Sequence, residues 1–242
     1  MKIEVATLVE GSESDAGDGI TDAKRCVLTL PDGTLHAAVL KRAPLGHVAA
    51  ECFSALLLKA WGLDVPTPYV VQVDGGIAFA SADAGYPSLK QRLGINALPE
   101  GPLRDAAIKL AAELTSSFAS TPLALAADEA IDNRDRNLGN ILWDGAAETW
   151  IDHAMALGEG AHMDDLNKLA TMAVMVGSAD MVQASAIAQS LALDRSHIET
   201  AALATSDAVG SFEKANFVAD RVARLGMLVL ARFPQPHDLL SP

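Results

Sequence analysis

The chain has 242 residues, half of them hydrophobic, with 18 basic against 31 acidic side chains and a formal charge of −13. That composition is enough for a sizeable core and excludes wholesale disorder; the acidic balance argues against a nucleic-acid partner held through its phosphates. The two cysteines, Cys26 and Cys52, fall inside a predicted strand and a predicted helix, which argues against a disulfide framework. No apolar stretch follows the charged start, and no apolar run is long enough for a membrane span. The expectation is a soluble, cytoplasmic protein with no membrane partner.

Strands are expected over residues 3–9 and 26–30, and Pro31-Asp32-Gly33 then turns the chain into a third over 35–42. A helix over 46–61 follows, stopped by Gly62 and by Pro66 soon after. Residues 69–73 and 77–81 read as a hairpin around Asp74-Gly75-Gly76. After Tyr86 the pattern turns helical and alanine-rich, and Pro102 and Thr121-Pro122 open successive helices. Residues 163–233 read as helical, with breaks near Gly177, Leu193-Asp194 and Thr205-Ser206. The expected layout is α+β and bilobal: a small mixed N-lobe over 1–87 with an antiparallel sheet and one helix, then a larger helical C-lobe over 88–242.

In the strand 35–42, alternation puts Leu35, Ala37, Val39 and Lys41 on one face. Alone, Lys41 reads as a strand-end cation whose head reaches water. The next helix changes that reading. Counting by three and four from Glu51 gives Val48, Ala55 and Leu58, so a carboxylate falls within an apolar stripe. A buried carboxylate is costly unless a cation pairs with it. A strand lysine with a helix glutamate is the pair that kinases use at the α- and β-phosphates of ATP. Between the first two strands, residues 11–19 hold three glycines that let backbone amides approach an anion, but Glu10, Glu13, Asp15 and Asp18 repel one. A mobile surface loop is the competing reading, and Ser12 and Ser14 are candidate phosphorylation positions there.

The segment from Ala130 to Gly145 carries the most information. Asp135 is followed five residues on by Asn140, and Asp152 lies beyond a hairpin signal at Asp144-Gly145. A helix from Thr121-Pro122 breaks into a polar turn at Asn133-Arg134-Asp135, and Ile141-Leu142-Trp143 is expected to pair with Thr149-Trp150-Ile151. That ribbon brings Asn140 and Asp152 side by side. Their oxygens suit Mg²⁺, and Asp135 suits the orientation or deprotonation of an acceptor hydroxyl. Arg136 is read either as neutralising charge on a transferring phosphoryl group or as bracing Asp135. Residues 79–82 are expected to border an adenine, with Val39 across the pocket.

Asn133-Arg-Asp-Arg-Asn-Leu-Gly-Asn140 followed by Ile151-Asp-His153 resembles the HipA-like kinases of bacteria and, more distantly, the phosphoinositide lipid kinases. Leu40-Lys41, Glu51 on its alanine- and leucine-rich helix, and Gly62-Leu-Asp-Val-Pro66 are similar to that family in order and spacing; the resemblance covers about residues 26–156. It implies a protein-kinase-like fold, ATP and Mg²⁺ as cofactors, and phosphorylation of serine or threonine in a protein, the chain itself included. Asp135 then corresponds to the catalytic aspartate, Asn140 and Asp152 to the metal ligands, and Lys41 to the phosphate-binding lysine paired with Glu51. A DNA-binding antitoxin is the kind of partner the family implies. His153-Ala154 stands where protein kinases have Phe-Gly, and Asn137 stands where many relatives have histidine. The extra N-terminal domain of full-length HipA toxins is expected to be absent.

Two other readings use the same residues: a lipid or small-molecule kinase, and a pseudokinase that binds nucleotide without turnover. The net charge opposes a lipid-facing surface, and retention of Lys41, Glu51, Asp135, Asn140 and Asp152 together opposes a decayed site. His36, His47, His162, His197 and His237 are scattered without ligand spacing, no Cys/His set suggests zinc, and Trp61, Trp143 and Trp150 are expected in packed elements.

Overall fold

The computed structural model of the protein describes residues 1–16, 23–160 and 167–233. Its first half is a sheet of β1 (Glu4–Leu8), β2 (Ser14–Asp15), β3 (Lys24–Thr29), β4 (Leu35–Lys41), β5 (Pro68–Val73) and β6 (Gly76–Ala82). The strand order is β1-β5-β6-β4-β3-β2, and β1 pairs again with β3. Five of these strands therefore close into a ring, with β2 as an outer flap. All pairings are antiparallel except β1 with β5. The ring encloses its own small core, which includes Ala6, Cys26, Leu28, Ala38, Leu40 and Val71. Both cysteines are free and buried.

Closure decides which face of β4 is which. The interior takes Ala38 and Leu40, so the alternate set Leu35, Ala37, Val39 and Lys41 lies on the outer face. Leu35 is 66% exposed, so the face that Lys41 shares with Leu35, Ala37 and Val39 is not a continuous buried apolar wall. Alternation identified the face correctly, but that face leads to a cleft and not into a core.

Helix α1 (Leu45–Ala60) is buried from Val48 to Leu58 without interruption. It shares a hydrophobic cluster with Val70 and Phe79 of the sheet on one side and with the C-terminal helices on the other. Phe53 stacks on Phe212 with ring centroids 4.5 Å apart, and Trp61 Nε1 donates to the Asp194 carbonyl at 3.0 Å. A helix enclosed in this way is apolar all round. Gly62, at a φ of 97°, closes it, and Leu63 N bonds back to Leu58 O.

The second half begins with α2 (Leu89–Arg92) and continues with α3 (Pro102–Ser117) and α4 (Thr121–Ile131), both carrying proline in the first turn. A two-stranded ribbon, β7 (Ile141–Trp143) and β8 (Glu148–Trp150), interrupts the helices. They resume as α5 (Lys168–Met175), α6 (Ala179–Ala192), α7 (Ser196–Val209), α8 (Ala215–Ala223) and α9 (Leu225–Ala231). The break expected at Thr205-Ser206 does not exist. Thr205 Oγ1 bonds to Ala201 O within α7 at 2.8 Å, and the helix ends at Gly210, whose φ of 96° suits a glycine. Among the described residues no helix is long and apolar enough to cross a membrane.

Candidate active site

Helix α4 ends with a polar switchback. Asp132 takes a left-handed conformation with φ 55°, and Asn133 N bonds back to Asp128 O at 2.8 Å. Asp128, buried near the end of α4 next to the equally buried Glu129, anchors the turn that carries Asp135. It accepts from Asn133 Nδ2 at 2.8 Å and from Arg136 Nε and Nη2, both at 2.9 Å. Arg136 Nη1 donates to the carbonyls of Asn140 at 3.1 Å and Ile151 at 2.8 Å, and the guanidinium lies over Trp150. Of its two expected roles the brace is the one the geometry contains: buried, with each nitrogen engaged on the scaffold, Arg136 fixes the backbone beside Asn140 and Asp152. Arg136→Ala would leave Asp128 buried and unpaired, at a cost of about 3–5 kcal/mol. Arg136→Lys should recover only part of that, because an ammonium cannot replace the fork. Urea unfolding of both variants checks this, and a loss under 1 kcal/mol for the alanine variant would remove the brace.

The ribbon pairs Ile141 with Trp150, and Ile151 N then bonds to Asn140 O at 3.1 Å. Asp144 Oδ1 caps its loop by accepting from Ala146 N and Ala147 N. Asn140 and Asp152 are thereby adjacent at the open end of the ribbon. Asn140 Nδ2 donates to the Asp135 carbonyl at 2.9 Å, which leaves its amide oxygen as the group to offer a cation. Asn137 Nδ2 donates to the same carbonyl, also at 2.9 Å.

Lys41 bridges the two halves of the molecule, with Nζ 2.7 Å from both Glu51 Oε1 and Asp152 Oδ1. Glu51 Oε2 accepts from His153 N at 2.9 Å, so one carboxylate holds both the strand lysine and the backbone just after Asp152. Burial pushes the Lys41 ammonium toward losing its proton, but the Glu51 and Asp152 carboxylates outweigh it and hold its pKa above the ordinary lysine range. Burial likewise pushes Glu51 up, and Lys41 and then His153 override it, so the carboxyl lies well below its usual range. Asp135 is raised, first by burial and then by the nearby Asp152 charge.

These residues open on two cavities. One, of about 490 Å³, is lined by Val39, Val65, Phe79, Ala82, Leu142 and Ile151, with Lys41 and Asp152 also on its wall. Val39 is not across it from residues 79–82, because β4 and β6 are neighbours with Val39 opposite Ser81; Leu142 and Ile151 come from the other half of the molecule. The second cavity, of about 560 Å³, contains Lys41, Arg42, His47, Asp135, Asp152 and Met155. Asn140 lines neither; it is buried beneath, tied to Asp135. The three tryptophans line neither cavity.

The glycine loop over residues 11–19 is described only as far as Ala16; Gly17, Asp18 and Gly19 lie outside the described residues, as do His162 and His237. Ser12 Oγ donates to Val9 O at 2.7 Å and accepts from Val27 N at 3.0 Å, while Glu13 pairs with Arg42 and Asp15 with Lys24. Two of the acids expected to repel an anion therefore carry their own cations. Sequence reasoning does not place Asp128 and His47 in the site. An acidic residue inside the apolar helix Leu123-Ala-Leu-Ala-Ala-Asp128 is the available signal for the first; nothing local marks the second.

No family model and no curated protein matches the sequence. Its fold is nonetheless similar to a solved structure, that of a Helicobacter pylori proinflammatory kinase, CtkA, with a TM-score of 0.57 over 93% of this chain and 96% of that one, at 12% identity. The chain has a kinase-like fold, with a sheet-based N-lobe and a helical C-lobe.

Proposed function

We propose that this protein is an ATP- and Mg²⁺-dependent phosphotransferase that phosphorylates a serine or threonine of a protein. The observation that carries this reading is the convergence of Lys41, Glu51 and Asp152, from three separate elements, at a cleft that also receives Asp135. The lining of the apolar cavity suits an adenine ring. Lys41, held charged by its two carboxylates, is placed to meet the α- and β-phosphates. Asp135 receives the proton of the acceptor hydroxyl as its oxygen bonds to the γ-phosphorus and the bond to ADP breaks, and its raised pKa strengthens it as a base.

The residues fit magnesium. Asn140 and Asp152 supply an amide oxygen and a carboxylate at the adjoining ends of the ribbon, and magnesium takes few protein ligands, keeping phosphate oxygens and water for the rest. When bound, the metal would offset negative charge on the phosphates. The experiment is labelling with γ-labelled ATP and Mg²⁺, alongside nucleotide-induced thermal shift, for wild type and Asp152→Ala. Wild type should label itself or an added protein; Asp152→Ala should lose the label and the Mg²⁺-dependent part of the shift. A shift that still responds to Mg²⁺ in the variant would overturn the metal assignment. Absence of both label and shift in wild type would overturn the kinase reading.

A further inference from the structure

Kinases commonly order the segment after the metal-binding aspartate by phosphorylating it, which fixes the helix that carries the glutamate. Residues 152–167 of this chain contain no serine, threonine or tyrosine. The described part of the segment is nevertheless ordered by its own contacts. Leu157, buried with φ 61°, bonds through its N–H to Ile131 O at the end of α4 at 2.7 Å. Gly160 folds back on its own segment, where a Cβ would stand 2.7 Å from Met155 O, and it touches the turn before Asp135, where the same Cβ would be 3.5 Å from Arg134 Cβ. Between these anchors, Glu159 points to the start of α1: its carboxylate is 3.7 Å from His47 Nε2, and a Cβ on Gly46 would lie 3.4 Å from its Oε1. That end of α1 has no side-chain cap and no acidic residue in its first turn. A carboxylate from elsewhere is what its exposed N–H groups and positive dipole favour.

We propose that Glu159 is a positioning residue that does permanently what a phosphate does in a switched kinase: it holds the start of α1, through His47 and the helix end, so that Glu51 stays on Lys41. The inference rests on the kinase reading above. It makes the chain competent without modification of this segment. Glu159→Gln should lower kcat/KM for ATP about five- to tenfold, mainly through KM, and speed amide hydrogen exchange in the first two turns of α1. Glu159→Asp should restore part of both, and His47→Gln combined with Glu159→Gln should add little to either single change. Glu159 is partly exposed, so the variants should fold. Wild-type kinetics and wild-type α1 exchange in Glu159→Gln would overturn the proposal, as would lost activity with unchanged exchange and no rescue by aspartate. The exchange measurement keeps the two readings apart. A wild type that transfers no phosphate removes the kinase reading and the catalytic meaning of the contact with it, whereas an active wild type whose α1 ignores Glu159 removes this inference alone.

Discussion

Asp135→Asn is expected to lower phosphoryl transfer by about 10²–10⁴-fold, while the protein unfolds at the same or a higher temperature than wild type at neutral pH. The two halves of this expectation have one cause. Burial, and then the charge of Asp152, raise the pKa of Asp135 above its ordinary 3.8, so its ionised form is disfavoured in the folded protein relative to the unfolded chain. For such an acid, stability is highest below the unfolded value and is lost as pH rises through the folded one. Asparagine removes that burden along with the proposed base. The stability gain should therefore fade as pH falls through the folded value of Asp135 and be gone below about 3.8, where the acid is neutral in both states. Melting curves across pH, run beside a turnover assay, test it; an asparagine variant clearly less stable than wild type at pH 7 would show that the carboxylate supports the fold instead of straining it.

Lys41→Met should be the most damaging single change to stability in the cleft. It leaves Glu51 buried and Asp152 half-buried with no cation between them, and breaking a buried pair from one side costs about 3–5 kcal/mol. Because Glu51 is lowered and Lys41 raised, the pair's contribution is present between their ordinary values of 4.5 and 10.5. It is lost as pH falls through the folded value of Glu51 or rises through that of Lys41. The gap between wild type and Lys41→Met should thus be widest from about pH 5 to 10 and narrow in acid, where Glu51 protonates. Adding Glu51→Gln to Lys41→Met should return part of the stability and none of the ATP binding. A double variant no more stable than Lys41→Met would sink the argument that the unpaired buried charge is what costs.

Much of the site could be read in the chain because its parts are local. The apolar stripe around Glu51 shows at helical spacing that a carboxylate is buried, and the strand before it offers the only nearby cation that alternation turns the right way. Asp135 and Asn140 share one turn, and Asp144-Gly145 announces the ribbon that returns Asp152 to them. Thr205-Ser206 misled for the converse reason: hydroxyl residues mark breaks statistically, but a buried threonine can bond to its own helix.

By itself, the sequence determined the order of the larger strands and helices up to the ribbon, the pairing of Lys41 with Glu51, and the adjacency of Asn140 and Asp152, because each follows from a backbone period or a short turn. The closure of the sheet through β1 and β3, the exposure of Leu35, the anchoring of Arg136 on Asp128, the arrival of Lys41 at Asp152 across 111 residues, and the contact of Glu159 with α1 were decided only by the tertiary structure. The reason is physical: a period fixes which way a side chain points within its own element. What it meets there depends on packing between elements distant in the chain, and on how that packing satisfies each buried charge.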